Sequence, residues 1–248
     1  NTTRNRSKRI TARMIRNASD ELAVSRGYWF DEEHADHVVE WIEDYCRLYE
    51  GDHAGERLVL SDWQLDATRR LFGWVHHSRD WGRIVRRFRR ASIWLPKKNK
   101  KSPTLAAWGV YLFAGDGEKG QKVYSAARDG GQAMISHRHA LEMIRQSDEL
   151  AAECHIHNQT GQITHLPTSS IYKILAGDNA KSQEGLNGSV LIDETHVVDA
   201  KLARIIRRAG ISRSEPLQIE VSTAGNDPDS YGKEQYDLGK EIESGVRP

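Results

Sequence analysis

Cysteine is scarce: Cys46 and Cys154 are the two in 248 residues, they form no CxxC pair, and their surroundings are unrelated. This argues against a disulfide framework and for a reducing compartment. Long apolar runs are scarce too. The longest nearly apolar stretch, residues 105–114, is about half of the ~20 residues that a bilayer span needs, so it reads as a buried helix and no membrane partner is expected. No charged–apolar–small signal opens the chain, and it carries neither an internal repeat nor a low-complexity tract. What remains, 38% hydrophobic and 29% charged residues, is the balance of a soluble globular protein. The length suits one large α/β domain or two small ones.

A formal net charge of +1 conceals strong local asymmetry. Arg4, Arg6, Lys8, Arg9, Arg13 and Arg16 crowd the first sixteen residues. Arg83, Arg86, Arg87, Arg89, Arg90, Lys97, Lys98, Lys100 and Lys101 follow within residues 83–101. Such clusters suit phosphate, either of a nucleotide or of a nucleic-acid backbone. For the N-terminal cluster, a solvated surface is an equally good account.

Residues 1–27 are basic and polar without a convincing period and read as an arm or lead-in. In residues 31–49, Val38, Val39, Trp41, Ile42 and Tyr45 recur at helical spacing. Ser61 or Asp62 can cap a second helix carrying Leu65, Leu71, Phe72 and Val75. Residues 91–95 read as a short buried strand closed by Pro96, followed by a lysine-rich loop. A helix then begins near Ser102 and Pro103, with an inner stripe of Leu105, Trp108 and Leu112. The alternation continues: strand 122–126, helix 131–146 with Met134, Leu141 and Ile144 on one side, and a hairpin from 153–157 and 162–166. Strands are expected at 171–175, 190–192 and 217–221, and helices at 200–209 and 232–243. Strands alternating with helices predict an α/β fold with a mostly parallel central sheet covered on both faces.

Local structure and chemistry first coincide at Leu95-Pro96-Lys97-Lys98-Asn99-Lys100-Lys101-Ser102. A phosphate-binding loop needs backbone N–H groups around the phosphates, a Lys on the β/γ oxygens and a hydroxyl on Mg²⁺ at the helix start. Lys101 and Ser102 stand in that order, but Leu95 and Lys100 replace the two glycines of GxxxxGK[ST]. A lysine-rich loop is more often merely solvated. The second element is the strand ending in Asp193 and Glu194. One carboxylate there can hold Mg²⁺ through its shell, and the other can orient and deprotonate the water that attacks the γ-phosphorus. An acid pair at a strand end commonly just meets solvent; about ninety residues after a loop of this kind, within a repeating βα pattern, the joint reading prevails. Ser222-Thr223-Ala224-Gly225 follows the next strand, and its hydroxyls can sense the γ-phosphate, although an ordinary turn has the same composition. Upstream, the Gln64 amide can read an adenine edge with Trp63 packed nearby; a capped helix with a buried Trp is the plain alternative.

Taken in order, these residues resemble the ATPase domain of tailed-phage terminase large subunits, in the branch whose loop reads Pro-basic-Lys-Asn-Gly-Lys-Ser. The matching stretches are Trp63-Gln64, residues 96–102, Tyr124-Ser-Ala-Ala-Arg-Asp129 with Gln132-Ala133, Gly185-Leu-Asn-Gly188, residues 191–196 and residues 222–225. They cover roughly two-thirds of the chain. The resemblance implies an ASCE P-loop, RecA-like fold over residues 28–248, using ATP and Mg²⁺. It also implies a ring of copies on the portal that threads double-stranded DNA into a procapsid in the host cytoplasm, with the terminase small subunit and portal protein as partners. Carried onto matching positions, Gln64 contacts adenine, and the loop Pro96, Lys97, Lys98, Asn99, Lys100, Lys101, Ser102 and Pro103 receives the phosphates. Lys97 takes the early basic position, which swings toward the γ-phosphate. Ser102 and Asp193 hold Mg²⁺, Glu194 activates water, and Ser222 and Thr223 couple hydrolysis to movement. The family's C-terminal nuclease domain has no counterpart after Gly225, so a motor without DNA cleavage is expected.

Two departures bear on this. Lys100 stands where a glycine permits positive φ, so reduced nucleotide affinity or a differently shaped loop is expected. No arginine shortly precedes Asp193, which leaves Lys181 or Arg128 as the cation that could act in a neighbouring subunit. Arg86, Arg87, Arg89 and Arg90 either line a DNA channel or pair with acids on a neighbour. The His137/His139 and His155/His157 pairs have no companion ligands that would make a zinc site. A helicase-like translocase and a DNA-binding module with a decayed loop remain the alternatives.

Overall fold

The computed structural model describes residues 12–127, 130–176, 186–198, 200–225 and 227–246. Helix α1 (Ala18–Ser25), capped by the Asn17 side chain, lies within a stretch whose sequence shows no helical period. Strand β1 (Trp29–Phe30) leads into α2 (Glu32–Tyr45), where the Asp31 carboxylate accepts from the His34 N–H and starts the helix. Helix α3 (Asp62–Gly73) begins at Ser61, which forms a capping box with Gln64. Val75 continues the helical spacing of α3 but lies in strand β2 (Trp74–Ser78), which pairs antiparallel with β1 and with β3 (Arg83–Arg86). The sequence pattern did not disclose this small sheet: two of its strands are short, polar and arginine- or histidine-bearing.

Strand β4 (Arg90–Trp94) precedes helix α4 (Lys101–Val110), which ends in a π turn at Tyr111–Gly115. Strand β5 (Lys122–Ala127), helix α5 (Gly130–Arg145), helix α6 (Asp148–Glu153) and the hairpin β6 (Cys154–Ile156) and β7 (Ile163–His165) follow. Then come β8 (Ser170–Ala176), β9 (Ser189–Asp193), α7 (Ala200–Arg207), β10 (Gln218–Ser222) and α8 (Tyr231–Glu243). The seven-stranded sheet has the order β4-β10-β9-β5-β8-β7-β6. Its first five strands are parallel neighbours, and β7 and β6 extend it antiparallel.

Alternation along the strands feeds two cores. Val123, Leu191, Ile219 and Val221 pack with Leu105, Trp108 and Leu112 on the face covered by α2, α3, α4 and α5. Tyr124, Ala126, Val190 and Ile192 pack with Leu202, Ile206 and Tyr231 on the other face, under α7 and α8. Every described residue of β9 is buried, which is why it reads as a continuous apolar run. On α5 the inner side is formed by Ala133, Ala140, Met143 and Ile144, whereas Met134 is exposed. The apolar run at residues 105–114 is a buried core helix, and among the described residues no helix is long and apolar enough to cross a membrane.

Candidate active site

Because β10 inserts between β4 and β9, the lysine-rich loop and the acid pair are one strand apart. The register places Ser222 beside Trp94 and Val221 beside Asp193, so three parallel strands end at the same level. With neighbouring strands about 4.8 Å apart, the ends of β4 and β9 are roughly 10 Å from each other. Lys101, Asp193, Glu194, Ser222 and Thr223, scattered over more than a hundred residues, share one end of the sheet.

The loop is built largely from itself. The Leu95 N–H donates to the Ser222 carbonyl, which extends the β4–β10 ladder by one bond before the chain turns away. Asn99 Nδ2 donates to the carbonyls of Pro96 (3.1 Å) and Lys97 (3.4 Å), closing the turn. Lys98 and Lys100 take positive φ, 68° and 53°. Lys100 thus adopts the left-handed conformation a glycine would supply, despite its side chain. Lys101 follows at the first position of α4, 7% exposed, with Nζ donating to the carbonyls of Leu95 (3.4 Å) and Pro96 (3.2 Å). Its ammonium is therefore held inside the curl. Ser102 and Pro103 occupy the first turn, half-buried, where helical N–H groups lack intrahelical acceptors and the helix dipole favours an anion. Pro96, Lys97 and Lys98 are exposed.

The acid arm depends on other elements. Asp193 is 8% exposed; one carboxylate oxygen accepts from Ser136 Oγ of α5 (2.8 Å) and the other from the Glu194 N–H (3.0 Å). Glu194 itself is left-handed at φ 55°, which turns its side chain out of the strand line, and its carboxyl group is 34% exposed. Glu194 Oε2 lies 3.4 Å from Thr223 Oγ1 and 3.2 Å from His196 Nδ1. His196 Nδ1 is also 2.9 Å from Ser222 Oγ. Sequence reasoning named neither Ser136 nor His196 as site residues. Ser136 has no local signal, while His196 stands three residues beyond Asp193. The Asp193 carboxylate and the Ser102 hydroxyl are hard oxygen donors, and each Asp193 oxygen keeps a second lone pair, so their chemistry suits Mg²⁺.

Gln64 is fully buried. Its carbonyl oxygen accepts from the Ser61 N–H and hydroxyl (2.7 Å each), and its Nε2 donates to Thr104 Oγ1 of α4 (2.5 Å). Trp108 Nε1 donates to Thr68 Oγ1 (2.9 Å), a second stitch between α3 and α4. In this arrangement the Gln64 amide orients the loop-bearing helix, and Trp63 packs against the main core. A cavity of about 540 Å³ opens beside the loop, lined by Trp94, Leu95, Pro96, His196, Gly225 and Tyr236 among others.

The arginine run divides. Arg86 is buried against Asp116 (2.6 Å) and the Glu215 carbonyl (2.5 Å), and Arg87 pairs with buried Asp20 (2.6 Å) while stacking over Trp74. Their acidic partners belong to this chain. Arg89 and Arg90 are exposed and donate to the carbonyls of Arg213 and Arg207. Burial lowers the pKa of His137, which bonds to the Gly161 carbonyl, and of His139, which packs on Tyr49. Burial likewise pushes the Cys46 and Cys154 thiols up to about 12, so both are poor nucleophiles. Arg128 and Lys181 lie outside the described residues.

Comparison with known proteins gives the fold and the family. The solved structure of the HK97 bacteriophage large terminase superimposes with a TM-score of 0.71 at 21% identity, covering 84% of this chain. This chain spans 41% of that protein's length. The likeness establishes the RecA-like fold. A point mutant of the Thermus phage P74-26 large terminase ATPase domain matches with a TM-score of 0.48 at 15% identity, covering 58% of this chain and 62% of that one. A search of curated proteins finds no match. The family profile described as "Terminase large subunit, ATPase domain" matches residues 62–241, well over half of the sequence. The chain therefore belongs to the family of terminase large subunit ATPase domains.

Proposed function

We propose that this chain, with residues 28–248 as its ATPase domain, hydrolyses ATP to drive double-stranded DNA into a viral procapsid, working in the host cytoplasm as a ring of copies on a portal. The observation that carries the reading is the common sheet end where β10 holds the Lys101 loop and the Asp193–Glu194 turn one strand apart. Family membership supports it.

In this reading the loop N–H groups and Lys101 bind the triphosphate, and exposed Lys97 reaches the γ-phosphate. Mg²⁺, held by Ser102 and Asp193, would neutralise charge on the phosphate oxygens. Glu194 orients the attacking water and accepts its proton. Ser222 and Thr223, at the end of β10, pass the change to the rest of the domain. Gln64 contributes to the adenine side through the helix it stitches to α4, and Arg128 or Lys181 acts in the neighbouring subunit. The terminase small subunit completes the machine; DNA cleavage is not assigned to this chain.

The left-handed Lys100 supports nucleotide binding over a decayed loop, because the turn a glycine would make is kept. Magnesium-dependent ATP hydrolysis that disappears in Glu194→Gln is the expected result. Turnover stimulated by double-stranded DNA only when a phage portal is present would distinguish packaging from a helicase-like translocase. Equal stimulation without the portal would overturn the packaging assignment.

A further inference from the structure

His196 meets both the acid arm and the end of β10 through one nitrogen. Its Nδ1 lies 2.9 Å from Ser222 Oγ and 3.2 Å from Glu194 Oε2. Ser222 Oγ donates to the Thr223 carbonyl (2.9 Å), so its proton is already used. The His196 backbone N–H also donates to that hydroxyl oxygen (3.3 Å). An ionised Glu194 carboxylate can only accept. An Nδ1–H satisfies both neighbours at once, and this is the tautomer on which the proposal is built.

The backbone of His196 is equally constrained. A Cβ on Gly225 would come within 2.9 Å of His196 Cβ, and one on Gly232 within 2.8 Å of His196 Cα. Gly225 closes the segment after β10, and Gly232 lies in the first turn of α8. These two close approaches seat the turn after β9 against both elements.

We propose that His196 is a positioning residue for hydrolysis: its Nδ1–H holds the Glu194 carboxylate in place and ties it to Ser222 at the end of β10. This rests on Glu194 being the base, as proposed above. The side chain is one-third exposed and shares its Oε2 between Thr223 and His196, so loss of the His196 contact leaves only the longer Thr223 contact to hold it against solvent. Misplacement of a base by about an ångström is enough to slow a reaction substantially without touching substrate affinity.

Asn can present a side-chain N–H near the position of Nδ1, whereas Gln places its amide nearer that of Nε2. The test compares His196→Ala, His196→Asn and His196→Gln with the unaltered chain, in ATP turnover with Mg²⁺ and double-stranded DNA and in binding of a fluorescent ATP analogue. Expected for Ala and Gln are a kcat lower by about tenfold and a KM within about twofold, with Asn recovering most of the loss. If Ala does not fold, the Asn–Gln pair decides, since both keep a polar side chain in the space. Unchanged kcat in Ala, or equal losses in Asn and Gln, would overturn the proposal. Hydrolysis by Glu194→Gln at the unaltered rate would instead remove the base itself, and the positioning role with it.

Discussion

The two turns that flank β10 both place a left-handed, non-glycine residue at the candidate site, yet they are stabilised in opposite ways. In the turn after β4, Lys100 at φ 53° precedes Lys101, and the contacts that shape it come from Asn99 and from the loop's own carbonyls. In the turn after β9, Glu194 at φ 55° is itself the proposed base, in contact with Thr223 and His196 while Ser136 holds Asp193. One turn is local and largely exposed. The other is assembled from three distant segments. Binding can therefore rest on a self-contained element, whereas hydrolysis depends on the fold around it, and the two should be separable by mutation.

Glu194→Gln breaks the comparison most sharply. The amide keeps the shape and can still accept from Thr223, but it cannot take a proton. Turnover should fall by roughly a hundredfold or more, the scale of a lost general base, while binding of a fluorescent ATP analogue is retained. Lys101→Ala should do the reverse. Removing a charge-assisted contact worth about 1.5–3 kcal/mol weakens nucleotide affinity by roughly 10–100-fold, measurable by titration. If both variants lost binding equally, the division of labour between the turns would be wrong.

The same contrast explains what the sequence disclosed. Lys101, Ser102, Asp193 and Glu194 were legible as candidates because phosphate and magnesium chemistry restricts residue types within a few positions of a strand end. From β4 onward the order of the elements, α6 apart, was legible from period and turn signals, including the hairpin of β6 and β7. Ser136 was not, because nothing in α5 marks it as facing a carboxylate across the sheet. Nor was the Gln64–Thr104 bond, which joins residues forty apart and engages the Gln64 amide between two helices. The arginine run misled composition in a different way. Arg86 and Arg87 count as surface charge in a tally, yet they are neutralised inside by Asp116 and Asp20, and their neighbours in β2 and β3 form a sheet too short and polar to show a period.

Ser136→Ala probes how far the acid arm leans on its surroundings. The substitution leaves Asp193 with one fewer donor and frees its carboxylate to turn. Loss of a hydrogen bond that orients a metal ligand typically costs about tenfold or more in metal affinity, so the Mg²⁺ concentration for half-maximal turnover should rise by about tenfold. Affinity for the nucleotide in the absence of Mg²⁺ should not move. A normal magnesium response would mean that Asp193 holds its orientation through the Glu194 N–H alone.

Lys100→Gly addresses the local turn and should have the smallest effect, with the opposite sign. A side chain in the left-handed region costs about 1–2 kcal/mol, and replacement by glycine returns that cost less about 0.5–1 kcal/mol for the greater freedom of the unfolded chain. A net gain of about 0.5–1 kcal/mol corresponds to a rise in Tm of roughly 2 °C for a chain of this size. Lys100 is exposed, so the lost charge is screened and its contribution to phosphate binding is small. Closer backbone approach to the phosphates then leaves nucleotide affinity equal or a few-fold higher. A drop in affinity on Lys100→Gly would show instead that this cation, and not the backbone curl, is what the turn presents to the triphosphate. In that case the turn after β4 would depend on its side chains as much as the turn after β9 does.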